Sequence, residues 1–215
     1  AALSAALFSG QPAHAQDTIR IGELNSYSRF AAFTVPYRQG FELALEEINE
    51  AGGVLGSDVE VIHEDSSDTD NPQIAAQSVS SLISDEVAAI IGAASSSVSL
   101  NIVDDIAAAS IVQISPANTS TALSGYSDFY FRTAPPDTVQ GDALGNLILN
   151  DGIENLGILL FADDYATSLR DVVQGVGEGA GGTITYGLSG DEFQTDAANF
   201  ESIVQDVLAT NPDGI

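Results

Sequence analysis

The chain has 215 residues, of which 44% are hydrophobic, 31 acidic and 5 basic, for a formal net charge of −26. That length and apolar content supply a sizeable core, but no apolar run reaches the ~18 residues needed to span a bilayer. Nucleic acid and anionic membrane surfaces are excluded as partners, because both repel an acidic surface. Lysine, cysteine and methionine are absent, and the only basic side chains are Arg20, Arg29, Arg38, Arg132 and Arg170. Apolar periodicity persists through the acid runs, so the chain folds. An acidic, lysine-free surface over a folded core suits high salt, where screening relieves self-repulsion.

The first residues read as the tail of a secretory signal, expected over 1–15. "AALSAALF" is a short apolar run, Ala13-His14-Ala15 fits the small-x-small cleavage pattern, and the mature chain starts at Gln16. A glutamine at that point, instead of a cysteine, predicts a soluble periplasmic protein without a lipid anchor. The chain starts mid-pattern and ends at "NPDGI", where a strand is starting. It therefore reads as a fragment cut at both ends.

Strand and helix patterns then alternate. "TIRIGEL" (18–24) is a strand. Phe41, Ala44, Leu45 and Ile48 fall at helical spacing after Pro36, and Gly52-Gly53 ends that helix. "DVEVIHE" (58–64) alternates as a strand. Asn71-Pro72 opens a helix carrying Ile74, Val79, Leu82 and Ile83. "VAAII" (87–91) is a buried strand, Leu100, Val103, Ile106 and Ala107 mark a helical face, and "IVQIS" (111–115) is a strand closed by Pro116. A second series follows. A helix near 137–150 carries Leu144, Leu147 and Ile148, and "NLGILLF" (155–161) is a buried strand. Leu169, Val172, Val173 and Val176 form a helical stripe, "TITYGL" (183–188) is a strand, and Phe200, Ile203, Val204, Val207 and Leu208 give a last helix. Repeated β-α-β units predict parallel sheets flanked by helices. Gly-Gly pairs at 52–53 and 181–182 end a helix before a strand in each half, which predicts two similar lobes joined near "RTAPPD" (132–137).

Ligands of open α/β sheets bind outside the carboxyl ends of the strands. The polar strand exits are "NSYSRF" (25–30), "EDSSD" (64–68), "GAASSS" (92–97), "SPANTST" (115–121) and "ADDYATS" (162–168). The serines of "IIGAASSS" admit two compatible readings. Ser97 or Ser99 caps the next helix, while Ser95 and Ser96 join backbone amides in an anion cradle. A serine hydrolase would need His63, since His14 lies in the signal, and no G-x-S-x-G elbow is present. His63 reads as a solvated strand-end residue. Asp65, Asp68 and Asp70, and the pair Asp163 and Asp164, offer oxygen ligands without an EF-hand spacing, so no metal is expected. No phosphate loop occurs and no cofactor is implied. What remains is hydroxyl and amide chemistry facing a cleft: Ser95, Ser96 and Ser97 from one exit, Ala117, Asn118 and Thr119 from the next, and Tyr165 closing over an apolar side chain.

The stretches "IRIGELNSYS", "GFELALEEINEAGGVLG", "IIGAASSS", "ISPANTS", "YFRTAPPDTVQG" and "LLFADDYATS" resemble the branched-chain amino acid (Leu/Ile/Val) binding proteins of ABC transporters. The resemblance runs from Thr18 to Ile215. It implies the type I periplasmic binding protein fold, with lobe I over 17–134 and an incomplete lobe II over 135–215. It implies a monomeric, exported, non-enzymatic protein that captures an amino acid, amide or related acid and delivers it to a membrane permease. A ligand-sensing receptor role and a hydrolase using Asp163 or Asp164 stand as alternatives. Carried over residue by residue, the ligand carboxylate falls to Ser96, the ammonium to the Ala117 carbonyl, and further contacts to Thr119 and Tyr165. Ala166 replaces the usual glycine after that tyrosine. The first loop lacks the common Gly-Pro, so its contact is Tyr27, Phe30 or Phe33. The acidic partner of the ammonium would fall beyond Ile215.

Overall fold

A computed structural model describes residues 18–194, 197 and 199–215. The expected signal tail lies outside the described residues. In chain order the elements are β1 (Ile19–Asn25), α1 (Ala31–Glu50), β2 (Val59–Asp65), α2 (Pro72–Ser84), β3 (Ala89–Gly92), α3 (Ser96–Ala108), β4 (Val112–Ser115) and β5 (Tyr130–Arg132). They continue with α4 (Asp137–Asn150), β6 (Asn155–Gly157), α5 (Asp164–Gly179), β7 (Thr183–Tyr186) and α6 (Glu201–Ala209).

The first five strands form one sheet in the order β2-β1-β3-β4-β5, and β6 pairs with β7 in a second. Every pairing is parallel. Parallel neighbours need crossover connections, and here helices supply most of them. All strands of a sheet therefore point their carboxyl ends the same way, and the exit loops gather at one edge. The larger core lies between the first sheet and α2 and α3, with Leu24, Leu82, Ile90, Ile102 and Ile106 fully buried. A smaller one joins Leu156 and Ile184 of the second sheet to Val173 of α5. No helix among the described residues is long and apolar enough to cross a membrane.

Several elements depart from expectation. α1 begins at Ala31, with Pro36 inside it. No side chain caps its start, so no capping residue marks it, and Pro36 looked like the boundary. Of its residues only Thr34 is buried, and the expected face of Phe41, Ala44, Leu45 and Ile48 is at least partly exposed. "YFR" is a fifth strand, too short to show a period. The run 155–161 pairs as a strand only over Asn155–Gly157, where a register shift breaks the ladder. α4 has the expected limits but a different inner face. Its buried residues are Asp137, Gly141 and Gly145, while Leu144 and Leu147 are exposed. Gly141 and Gly145 let α4 approach α5 closely, since a Cβ on either would lie within 2.7 Å of a Val172 or Val176 Cβ. Gly214 makes a parallel bridge to Leu156, beside the expected strand start.

Candidate functional site

The site is built at the exits of β3 and β4. β3 ends on Gly92, whose φ of +130° disfavours any side chain, and a Cβ there would run into the Leu24 carbonyl. The neighbouring exits are then tied together by buried polar side chains. Gln113 Nε2 donates to the Gly92 carbonyl at 2.9 Å. Ser115 Oγ donates to the Ala93 carbonyl at 2.7 Å and accepts from Asn118 N at 3.0 Å. Asn118 Nδ2 donates to the Ala94 carbonyl at 2.8 Å, and its Oδ1 accepts from the Tyr130 hydroxyl at 2.9 Å. Burial raises Tyr130 to about 12, against the opposing Arg132 charge and a Ser115 hydrogen bond, so the phenol stays a donor.

The serines divide the work differently from expectation. Ser95, not Ser97 or Ser99, is the N-cap of α3, accepting from Val98 N. Ser96, 2% exposed, accepts from Ser120 N at 3.4 Å. Ser97, in the first turn of α3, reaches α5: its Oγ donates to Asp163 Oδ2 at 2.9 Å and accepts from Asp164 N at 2.7 Å. Ser99 Oγ donates to the Ala93 carbonyl. A hydroxyl has one proton to give. Among the described residues, Ser95 and Ser96 accept a bond but donate none, and Thr119 Oγ1 is buried with no partner at all. Three hydroxyl protons are thus unspent near the amino end of α3, an end that favours negative charge.

These residues border a cleft of about 330 Å³. Ser95, Ser96, Ala117 and Thr119 line it from the first sheet, and Tyr165 lines it from α5. Phe30 and Phe33 reach it from the first loop and the start of α1. Tyr27 does not: its hydroxyl donates to the buried Glu23 at 2.5 Å and Arg38 lies over its ring. Burial and the adjoining Glu23 carboxylate push this phenol up. Gln140, Phe161, Asp163, Asp68 and Thr69 complete the lining; of these, the sequence pointed only to Asp68 and Asp163, as oxygen ligands, and to Asp163 as the acid of a hydrolase. Gln140 Nε2 approaches the Tyr165 hydroxyl at 3.4 Å. The "PPDTVQG" stretch quoted for the family resemblance was the only sequence feature that could have pointed to Gln140.

Asp65, Asp68, Asp70 and Asp163 are occupied structurally. Asp65 Oδ1 accepts from Tyr27 N and Ser28 N, anchoring the first loop. Burial alone would raise its carboxyl, but donors from Ser28, Ser67 and Tyr27 hold it below the usual range. Asp68 pairs with Arg29 at 2.6 Å, and Asp70 lies 3.9 Å from the same guanidinium. Asp163 Oδ1 caps α5 through Tyr165 N. His63 is not a solvated end residue. Its side chain is 18% exposed, Nδ1 lies 2.9 Å from Glu23 Oε2, and the ring is outside the cleft lining.

A family model described as periplasmic binding protein matches residues 18–215. The chain belongs to the periplasmic binding protein family. Among solved periplasmic binding proteins, the leucine-binding protein LivK of Thermotoga maritima superposes with a TM-score of 0.81 at 23% identity, over 91% of this chain and 54% of that one. LivJ of Streptococcus pneumoniae, in complex with isoleucine, gives 0.76 at 25% identity, over 92% and 56% of the two chains. The fold is thus the type I periplasmic binding protein fold. BasB of Halobacterium salinarum, the substrate-binding protein of a chemotactic signal transduction system, is 26% identical over 201 residues, covering 89% of this chain and 47% of BasB. The chain spans about half the length of BasB and of the two solved proteins.

Proposed function

We propose that two lobes, residues 17–134 and 135–215, close on a small carboxylate-bearing solute and that the closed form delivers it to an ABC transporter permease. The solute is an amino acid, an amide or a related acid. One observation carries the reading. The unspent hydroxyls of Ser95, Ser96 and Thr119 meet the amino end of α3 in a cleft faced by Phe30, Phe33, Phe161 and Tyr165. Hydrogen bonds to a charged group are the strong ones, so this side of the cleft suits a carboxylate without any cationic side chain. The aromatic side suits an apolar body, and the Ala117 carbonyl is an acceptor for an ammonium. Nothing in this arrangement activates a nucleophile. Of the two acids in the lining, Asp163 is committed to a helix cap and to Ser97, and Asp68 is paired with Arg29, so binding is the better reading than hydrolysis. Export through the signal at 1–15 as a soluble monomer accompanies this reading.

The likeness to BasB favours a second reading, in which the closed form is recognised by a chemotaxis receptor instead of a permease. Both readings share the same first test, a thermal-shift screen of the full-length protein against amino acids, amides and aromatic acids. A true ligand at about 100 times its Kd adds ~2.7 kcal/mol of stability. A panel in which no carboxylate raises the melting temperature would overturn the proposal.

A further inference from the structure

Two helix amino ends face each other across the cleft, and one carboxylate serves both. Asp163 is the N-cap of α5, taking Tyr165 N on Oδ1 at 2.7 Å. Its Oδ2 takes the hydroxyl of Ser97, in the first turn of α3, at 2.9 Å. The same hydroxyl accepts from Asp164 N at 2.7 Å, so Ser97 spends its proton and a lone pair on the second helix. Facing amino ends carry like partial charges and repel, and an anion between them turns repulsion into attraction. A second tie lies one turn along α5. Ser168 Oγ accepts from Thr121 N at 2.9 Å and donates to Thr121 Oγ1 at 3.2 Å. Ser97 and Ser168 are both buried, so water competes weakly for these bonds.

We infer that Ser97 and Asp163 form a latch that holds the cleft closed before ligand enters and sets Tyr165 in place as it engages. Ser97 and Asp163 are positioning residues in this account. The inference rests on the two-lobe reading above. Tyr165 follows directly after Asp163 and Asp164, the two residues that Ser97 bonds, and its amide is held by the same carboxylate that holds Ser97. Closure and the placement of the aromatic wall are therefore one event. Ligand binding draws on a closed population that already exists, and this raises affinity without any added ligand contact.

The test is a distance measurement on the full-length protein without ligand. Cysteine is absent from these 215 residues, so, with any cysteine elsewhere in the full-length protein replaced by serine, spin labels attached through Gln77→Cys on α2 and Ala143→Cys on α4, both exposed positions, report one distance by pulsed electron resonance. Ser97→Ala removes the latch. Asp163→Asn is the sharper variant. Its single carbonyl oxygen keeps the cap on Tyr165 N, because asparagine is as good an N-cap as aspartate, while the anionic acceptor for Ser97 is lost. The latch predicts a short-distance population in the parent protein that moves to longer distance in both variants. L-leucine, used as the probe ligand, should bind each variant about tenfold or more weakly, the loss expected for a charged hydrogen bond. A parent protein already fully open, or distributions that superimpose in all three proteins, would overturn the latch. If L-leucine fails to bind the parent, the ligand reading suffers and the distance result still decides the latch.

Discussion

Adding a methyl group to Gly141 should destabilise the protein, although glycine-to-alanine exchanges inside helices ordinarily stabilise by about 0.5–1 kcal/mol. A Cβ at this position would lie 2.6 Å from Val172 Cβ and 2.7 Å from its Cγ1. Relaxed carbon contacts sit near 3.5–4.0 Å, so α4 and α5 must part by roughly 1 Å. Val172 cannot swing aside, because a β-branched side chain in a helix keeps essentially one rotamer. Overpacking of this kind costs about 1–3 kcal/mol. Set against the propensity gain, the expected net loss for Gly141→Ala is about 1 kcal/mol. Gly175 supplies the contrast. It lies in the interior of α5, exposed, with nothing within 4 Å of its would-be Cβ. Gly175→Ala should therefore stabilise by about 0.5–1 kcal/mol. Urea melts of the two variants in the full-length protein, followed by far-ultraviolet circular dichroism, read both signs. A Gly141→Ala variant as stable as Gly175→Ala would refute the close-approach argument.

Three further outcomes are expected. With a net charge of −26, the urea midpoint should climb as KCl rises into the molar range, because screening weakens self-repulsion; a midpoint that drops with salt would contradict this. The Asp65 carboxyl is held below its ordinary value in the folded state. Its contribution is therefore present above the unfolded value near ~3.9 and fades as pH falls through the lowered folded value. Asp65→Asn should lower stability at neutral pH and flatten the acid limb, and an unchanged acid limb would count against the anchor. Tyr165→Ala should weaken binding of the ligand found by thermal shift while leaving the urea midpoint nearly unchanged, since this side chain faces the cleft; equal affinity would remove Tyr165 from the site.

Legibility in the sequence follows the range of the interactions. The alternating strands and helices were readable because each carries its own apolar period, and α2 was readable from Asn71-Pro72 at its start. The start of α1 was not, since Phe30 offers no capping side chain. The inner face of α4 was misread because glycine carries no hydropathy to count, yet Gly141 and Gly145 are what α5 packs on. At the site, the strand-exit rule led to Ser95, Ser96, Ala117 and Thr119, which border the cleft, and also to Ser97 and Asn118, which do not line it. Ser97, Ser99 and Ser115 have the same side chain as their neighbours and serve as ties instead. Only the three-dimensional path of each hydroxyl separates a tie from a free donor. Gln140 reaches the cleft from α4, at a sequence separation that no local pattern spans, and nothing local ties Asp163 of the "ADDYATS" exit to Ser97.

Carboxylate capture rests on the hydroxyl wall of Ser96 and Thr119. Its most direct test is calorimetric titration of the full-length protein, parent and Ser96→Ala/Thr119→Ala, with the carboxylate that gives the largest thermal shift. Each lost bond to a charged group is worth about 1.5–3 kcal/mol, so the double variant should bind at least ~100-fold more weakly. Equal affinity in the two proteins would contradict the placement of the carboxylate at the exits of β3 and β4.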